Sequence, residues 1–279
     1  MWSYRVKSSL SRAGTAASLC LLERREMPER TAISGSSGFI GKHLSARFQE
    51  PYKLDRTGEI PLGIDVVFDL AAFGNMAGHS GIGRIYRANL MRVIEENEWI
   101  DNEKWIFVST SSVMLPKQTP YSLSKRAAEE FLQSTGKRVA IVRPFTIVGV
   151  GEQKDHLIPK LIDSCLNGTE MPFVREPVHD FLDVEDFVNA LLVIKDKAQF
   201  TGEIYEVGSG QQISNDNVRQ AVEVVTGKKA NIKVVENMRP YDTKDWKANL
   251  ERISTLGWKA KKNLMQTIEE IVKHERKSN

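Results

Sequence analysis

Cysteine is nearly absent: Cys20 and Cys165 are the only two in 279 residues. Two thiols make neither a disulfide framework nor a thiolate metal site, so a reducing compartment and a cytoplasmic location are expected. Histidine is sparse as well. His43, His79, His156, His179 and His274 show no zinc-type pairing, and no metal is expected. No apolar run approaches the ~20 residues of a membrane span. An excess of charge is also missing. The net charge is only +3, and residues 1–26 supply all of it, with Arg5, Lys7, Arg12, Arg24 and Arg25 against Glu23 and Glu26. The remaining chain is balanced, which leaves no basic face for nucleic acid and no polybasic patch for a membrane. Residues 1–26, rich in Ser, Ala and Arg, read as a transit-type peptide or a disordered tail, with no part in function expected.

The remaining composition, 41% hydrophobic and 27% charged, suits one large or two modest globular domains. After Arg30, strand-like and helix-like patterns alternate, the signature of an α/β protein with a parallel sheet. Strands are predicted at Thr31–Ser34, Tyr52–Asp55, Asp65–Leu70, Lys104–Ser109 and Val139–Arg143, and helices at Gly83–Asn97 and Tyr121–Thr135. Several strands are nearly continuous apolar runs, as strands covered on both faces should be. Beyond Val148 the texture changes. Short strands at Asp180–Val184 and Glu203–Val207 lie among helices at His156–Leu166, Asp183–Ile194 and Asn215–Thr226, and an amphipathic helix closes the chain. The division expected is 27–148 for a doubly wound, cofactor-binding sheet and 149–279 for a smaller α+β substrate-binding region interleaved with it.

The run Gly35-Ser36-Ser37-Gly38-Phe39-Ile40-Gly41 follows the first strand and opens a helix. A strand, a glycine turn and a helix N-terminus together present backbone N–H groups to a pyrophosphate. The glycines allow the tight turn, the approach of backbone to phosphate, and close helix–strand packing. Asp55 ends the next apolar run, about 20 residues after Gly35, where an acid that binds the adenosine ribose hydroxyls belongs. Its carboxylate favours NAD over NADP, while Arg56 beside it keeps NADP open.

Tyr121 and Lys125 are four apart and share a helix face. A nearby cation favours phenolate, so Lys125 is expected to bring the phenol, whose ordinary pKa is near 10, toward acid/base work at neutral pH.

These motifs stand in one order with Asp69-Leu70-Ala71-Ala72, Ala88-Asn89-Leu90, Val108-Ser109-Thr110-Ser111-Ser112-Val113, Arg143-Pro144-Phe145-Thr146-Ile147-Val148-Gly149 and His179-Asp180-Phe181-Leu182-Asp183. Tyr205-Glu206-Val207-Gly208-Ser209-Gly210, Arg239-Pro240-Tyr241-Asp242 and Leu256-Gly257-Trp258 continue the order. From Thr31 onward the chain resembles the extended short-chain dehydrogenases/reductases, the group of nucleotide-sugar epimerases, dehydratases and 4-keto reductases. The resemblance implies a Rossmann-type fold, an NAD(P) cofactor, a nucleotide-sugar substrate and a homodimer paired through the helices at Gly83–Asn97 and Tyr121–Thr135. It assigns Tyr121 as acid/base, Thr110 as the hydroxyl that holds the reacting sugar oxygen, and Lys125 as a ligand of the nicotinamide ribose that also lowers the Tyr121 pKa. Leu70, Ala71 and Ala72 would line the adenosine and pyrophosphate, Pro144 would lie near the nicotinamide, and Asn89 would support the cofactor site. On the substrate side the family points to Thr146, His179 and Arg239, with Arg239 on the diphosphate.

The chain also departs from the pattern. Thr146 stands where the family often has asparagine and His179 where it often has arginine, with Arg175 a candidate for the missing charge. Ser111 and Ser112 replace the positions that include a carboxylate in 4,6-dehydratases, which excludes that activity. The segment from Thr110 to Tyr121 is about half the usual length. The resulting expectation is an NAD(P)-dependent nucleotide-sugar epimerase. The alternatives are a 4-keto reductase built on the same three residues and, from another class, a non-catalytic NAD(P)-binding regulator.

Overall fold

The computed structural model describes residues 29–54, 63–74, 81–236 and 245–278. The chain begins with β1 (Thr31–Ser34), α1 (Phe39–Ser45), β2 (Tyr52–Leu54) and β3 (Ile64–Asp69). A composite helix follows: α2 (Ile82–Tyr86), a π turn (Arg87–Met91) and α3 (Arg92–Trp99). Then come β4 (Asn102–Val108), a 3₁₀ turn (Ser111–Met114), α4 (Pro120–Ser134), β5 (Val139–Pro144), β6 (Thr146–Val148), α5 (Leu157–Asn167) and β7 (Met171–Phe173). The remainder is β8 (Val178–Asp183), α6 (Val184–Lys197), β9 (Glu203–Val207), β10 (Gln212–Ser214), α7 (Asn215–Thr226), β11 (Ile232–Val234), α8 (Glu251–Thr255) and α9 (Leu264–Ser278).

Six strands form one parallel sheet in the order β2-β1-β3-β4-β5-β9. Alternate residues of its strands feed two separate cores. Ile33, Val66, Phe68, Ile106, Val108, Ala140 and Val142 pack with Leu44 of α1 and Phe187, Leu191 and Ile194 of α6. Ala32, Val67, Trp105, Phe107 and Ile141 pack on the opposite face with Val93 of α3 and Ala128 and Leu132 of α4. Helices on both faces explain the near-continuous apolar strands. From β1 the chain runs outward to β2 and returns to β3 on the other side. This reversal opens a crevice at the carboxyl ends of β1 and β3, where ligands bind in such sheets.

The C-terminal part contributes β9 to the sheet edge and α6 to one face, and also builds its own layer. The sheet β10-β8-β6 and the pair β11-β7 lie with α5, α7 and α9 around Ile158, Leu161, Phe173, Phe181, Val222 and Ile268. Among the described residues no helix is long and apolar enough to cross a membrane, and no His, Cys, Asp and Glu cluster could hold a metal.

Candidate active site

The glycine run sits at the end of β1 and leads into α1. Gly35 has φ +67°, a conformation that favours glycine, and a Cβ there would lie 2.9 Å from the Ala71 nitrogen. A Cβ on Gly41 would run into the Gly35 carbonyl oxygen and lie 2.8 Å from Ser36 Cα. The Gly38 N–H donates to Gly35 O at 3.0 Å, closing the turn. Gly38 is the N-cap of α1, and no side chain caps this helix end, so its first-turn amides remain available as donors. Ser36 and Ser37 complete the loop, Phe39 and Ile40 open α1, and Gly35 lies against the backbone of Leu70 and Ala71 just past β3.

A buried charge network holds these two strand ends together. Ser34 Oγ donates to Asp69 Oδ1 at 2.6 Å, and Ala71 N donates to Ser34 Oγ at 3.2 Å. Arg92 reaches Asp69 at 2.8 Å, Glu96 at 2.5 Å and the Ala71 carbonyl at 3.1 Å. Burial pushes the Glu96 carboxyl well above its ordinary range, against the pull of Arg92. In the sequence Arg92 and Glu96 look like an exposed helical pair, so their burial had no visible signal.

Asn89 is fully buried within the π turn. Its amide accepts from Phe73 N and donates to Phe73 O, both at 2.8 Å, and donates to Ser124 Oγ at 3.0 Å. Ser124 Oγ in turn donates to the Tyr121 carbonyl at 2.7 Å. Asn89 thus joins the segment after β3 to the helix that carries Tyr121.

That helix, α4, starts where local chemistry dictates. Thr119 caps it, Pro120 occupies its first turn, and Thr119 and Ser122 exchange side-chain-to-backbone hydrogen bonds in a capping box. Tyr121 therefore lies in the first turn, with Lys125 one turn on. Thr110 lies two residues past the end of β4 and caps the 3₁₀ turn. Gln118 donates to the Val113 and Leu115 carbonyls, and Arg126 also bonds Val113, which fastens the shortened connection against α4. This arrangement lets Thr110 oppose the effect of burial on the Tyr121 phenol.

Lys125 departs from its expected electrostatic role. Its side chain is fully buried and its ammonium lies 3.9 Å from the centre of the Phe107 ring. Burial lowers its pKa to about 7, opposed by Asp69. The Tyr121 phenol is instead pushed up to about 12 by burial, with Thr110 as the influence that lowers it.

Lys125 Nζ is buried without a hydrogen-bond partner among the described residues. Such a donor fits a hydroxyl-bearing ligand such as a nicotinamide ribose, and the glycine turn fits a pyrophosphate. The Rossmann crevice therefore meets the demands of a dinucleotide on observed geometry. Pro144 stands at the end of β5, paired with Val207. Thr146 on β6 pairs with Phe181 on β8, and His179 lies two residues before Phe181, so Thr146 and His179 belong to neighbouring strands of the small sheet. His179 meets the Phe181 ring edge-on at 5.7 Å. Arg175 forms an ion pair with Asp216 at 3.3 Å. Asp55, Arg56 and Arg239 lie outside the described residues.

Nothing in the local pattern around Asp180 signals its part in the fold. This fully buried carboxylate accepts from Ser209 N at 2.6 Å, Ser209 Oγ at 2.7 Å, Gly210 N at 2.9 Å and Ala248 N at 2.9 Å. It pins the turn after β9 and the segment before α8 to β8. Asp180→Ala would strand these donors and should cost about 3–5 kcal/mol, read as a lower urea midpoint with an unchanged slope.

Residues 53–208 match the family described as NAD dependent epimerase/dehydratase. The chain belongs to this family. Its likeness to the GDP-6-deoxy-D-mannose reductase of Pseudomonas aeruginosa is 25% identity over 300 positions, covering 88% of this chain and 97% of that protein. The dTDP-D-glucose 4,6-dehydratase of Mus musculus is 29% identical over 206 positions, which cover 63% of this chain and 56% of that protein. Among solved structures, MoeE5 in complex with UDP-glucuronic acid and NAD superposes with a TM-score of 0.77 at 23% identity, covering 90% of this chain and all of MoeE5. The last likeness supports the fold, and the family match places the chain among extended short-chain dehydrogenases/reductases.

Proposed function

We propose that this protein reduces a keto group of a nucleotide-linked sugar at the expense of NAD(P)H. The observation that carries the reading is the buried Lys125 ammonium, without a hydrogen-bond partner among the described residues, one turn from Tyr121 on the helix that follows the Thr110-capped turn. A reduced nicotinamide supplies the hydride when bound. Tyr121 gives its proton to the carbonyl oxygen as the carbon accepts the hydride, and Thr110 orients that oxygen. With its phenol pushed up to about 12, Tyr121 is protonated at neutral pH, the state that this direction needs.

Gly35–Gly41, Leu70, Ala71, Ala72, Pro144 and Lys125 would hold the cofactor, with Asp55 and Arg56 at the adenosine ribose and Asn89 behind the site. Thr146, His179 and Arg239 would face the substrate. In this reading 27–148 binds cofactor, 149–279 binds substrate, and the location is cytoplasmic. A homodimer would pair through α2–α3 and α4, where Ile82, Met91 and Leu123 are exposed.

Reduction is favoured over epimerisation by the whole-length match to a reductase. The epimerase reading uses the same trio and is favoured by Asp55, which suits a retained NAD. The two differ in net chemistry. A nucleotide-linked 4-keto sugar given with NADH or NADPH should consume one nicotinamide per alcohol formed. Interconversion of stereoisomers without consumption, with NAD released only on denaturation, would establish the epimerase instead.

A further inference from the structure

Two side chains with no solvent exposure stand between the segment after β3 and Tyr121. Asn89 lies in the middle of the π turn and Ser124 on α4, and both are fully buried. Their hydrogen bonds have a fixed sense. Phe73 N donates to Asn89 Oδ1 and Phe73 O accepts from Asn89 Nδ2, both at 2.8 Å. A flipped amide would set donor against donor and acceptor against acceptor, so the Phe73 backbone decides its orientation. The second Nδ2 proton then goes to Ser124 Oγ at 3.0 Å. Ser124 accepts in that bond, which directs its own proton to the Tyr121 carbonyl at 2.7 Å.

Both ends of this chain reach the site. Phe73 closes the segment after β3, and Arg92, three residues beyond Asn89, grips Asp69 and the Ala71 carbonyl of the same segment. One composite helix therefore holds the backbone against which Gly35 packs. At the other end, the Tyr121 carbonyl also accepts from the Lys125 amide as an ordinary helical bond. The Thr119 capping box secures the first turn of α4 through its N–H groups, and Ser124 secures it through a carbonyl. Helix stability does not account for this serine. Alanine is the better helix former, and a hydroxyl bonded back to the preceding turn tends to bend a helix.

We infer that Ser124 is a positioning residue: through Asn89 it ties the Tyr121 backbone to the segment after β3, and so sets where Tyr121 stands relative to the cofactor crevice. The inference rests on the reading of Tyr121 as acid/base, and it holds for reduction and epimerisation alike. Without the Ser124 hydroxyl, one Asn89 proton loses its acceptor in a buried setting, and the Tyr121 carbonyl loses its second donor. The capping box alone then holds the first turn. A small displacement of an acid/base group is costly to chemistry, because the reacting atoms must meet within a few tenths of an ångström.

The test reads the place of Tyr121 and its chemistry separately. The full chain is labelled with 3-fluorotyrosine, and the Tyr121 ¹⁹F resonance is assigned by its loss in Tyr121→Phe. Ser124→Ala should shift that resonance and leave the other tyrosine signals in place. In turnover it should lower kcat roughly 10- to 100-fold, with KM for the nicotinamide cofactor within about twofold of wild type. Ser124→Cys, a weak donor and a weak acceptor, should fall between the two. Asn89→Ala combined with Ser124→Ala should be no slower than the slower single variant, because a chain already broken transmits nothing more. An unmoved Tyr121 resonance in Ser124→Ala would overturn the inference. So would losses in kcat that add in the double variant, since Asn89 and Ser124 would then act separately. The resonance requires neither turnover nor the Asn89 variant, so it judges Ser124 even if the protein proves not to reduce a sugar. A fully active Tyr121→Phe would fail the functional reading independently.

Discussion

Lys125→Met should yield a protein that is more stable than the wild type and almost inactive. The ammonium is fully buried, touches the Phe107 ring and has no hydrogen-bond partner among the described residues. Burial lowers its pKa from 10.5 to about 7. The sign follows from proton binding. Between about pH 7 and 10.5 the unfolded chain holds a proton on Lys125 that the folded chain has released, so the wild type gains stability as pH rises through that window. Below about pH 7 the folded protein carries the full penalty of a buried charge. Methionine matches the stem and removes the charge, so the gain should be largest below pH 7, on the order of a few kcal/mol, and should shrink toward pH 10.5. Thermal unfolding of both ligand-free proteins across this range measures it. A variant that is less stable than wild type at pH 6 would show that the ammonium is stabilised rather than strained. Loss of activity together with a gain in stability is what a functional lysine, kept at a cost to the fold, should display.

Much of this arrangement was legible in the sequence because it rests on local signals. Thr31–Ser34, Glu203–Val207 and Asn215–Thr226 were predicted with the ends that the structure gives them, since continuous apolar runs and helical periodicity persist over enough residues to be read. The three-residue strands β6, β7, β10 and β11 were not, because three residues carry no period and their pairing partners are distant. Tyr121 and Lys125 announced themselves by spacing, and Thr110 by its place before Val113. The contacts that decide their behaviour did not. Phe107 reads as one more apolar strand residue, yet it receives the ammonium. Asp180 reads as a polar residue in a strand, yet it gathers four donors. Spacing sets Lys125 one turn from Tyr121, but it could not reveal that the ammonium is buried over Phe107. Burial and long-range contact are properties of the fold, and pKa values follow from them.

Tyr121→Phe should lower turnover by roughly 10³-fold or more while leaving cofactor binding within about twofold of wild type. General acid catalysis contributes on the order of 10²–10⁴-fold, and the substitution removes the donor while keeping the ring that fills the first turn of α4. Thr110 would retain its contacts to Ser112, so the loss would belong to the phenol rather than to a collapsed connection. The pH dependence carries further information. A phenol pushed up to about 12 stays protonated through neutrality, so reduction should be flat with pH until Tyr121 begins to ionise on the alkaline side. The reverse oxidation needs the phenolate and should rise about tenfold per pH unit over the same range, until the phenol titrates. Opposite responses of the two directions, both abolished in Tyr121→Phe, would identify one group acting as acid one way and base the other. An oxidation rate independent of pH would require a different base. Lys125 on the same helix titrates near neutrality, but its ammonium is held over the Phe107 ring.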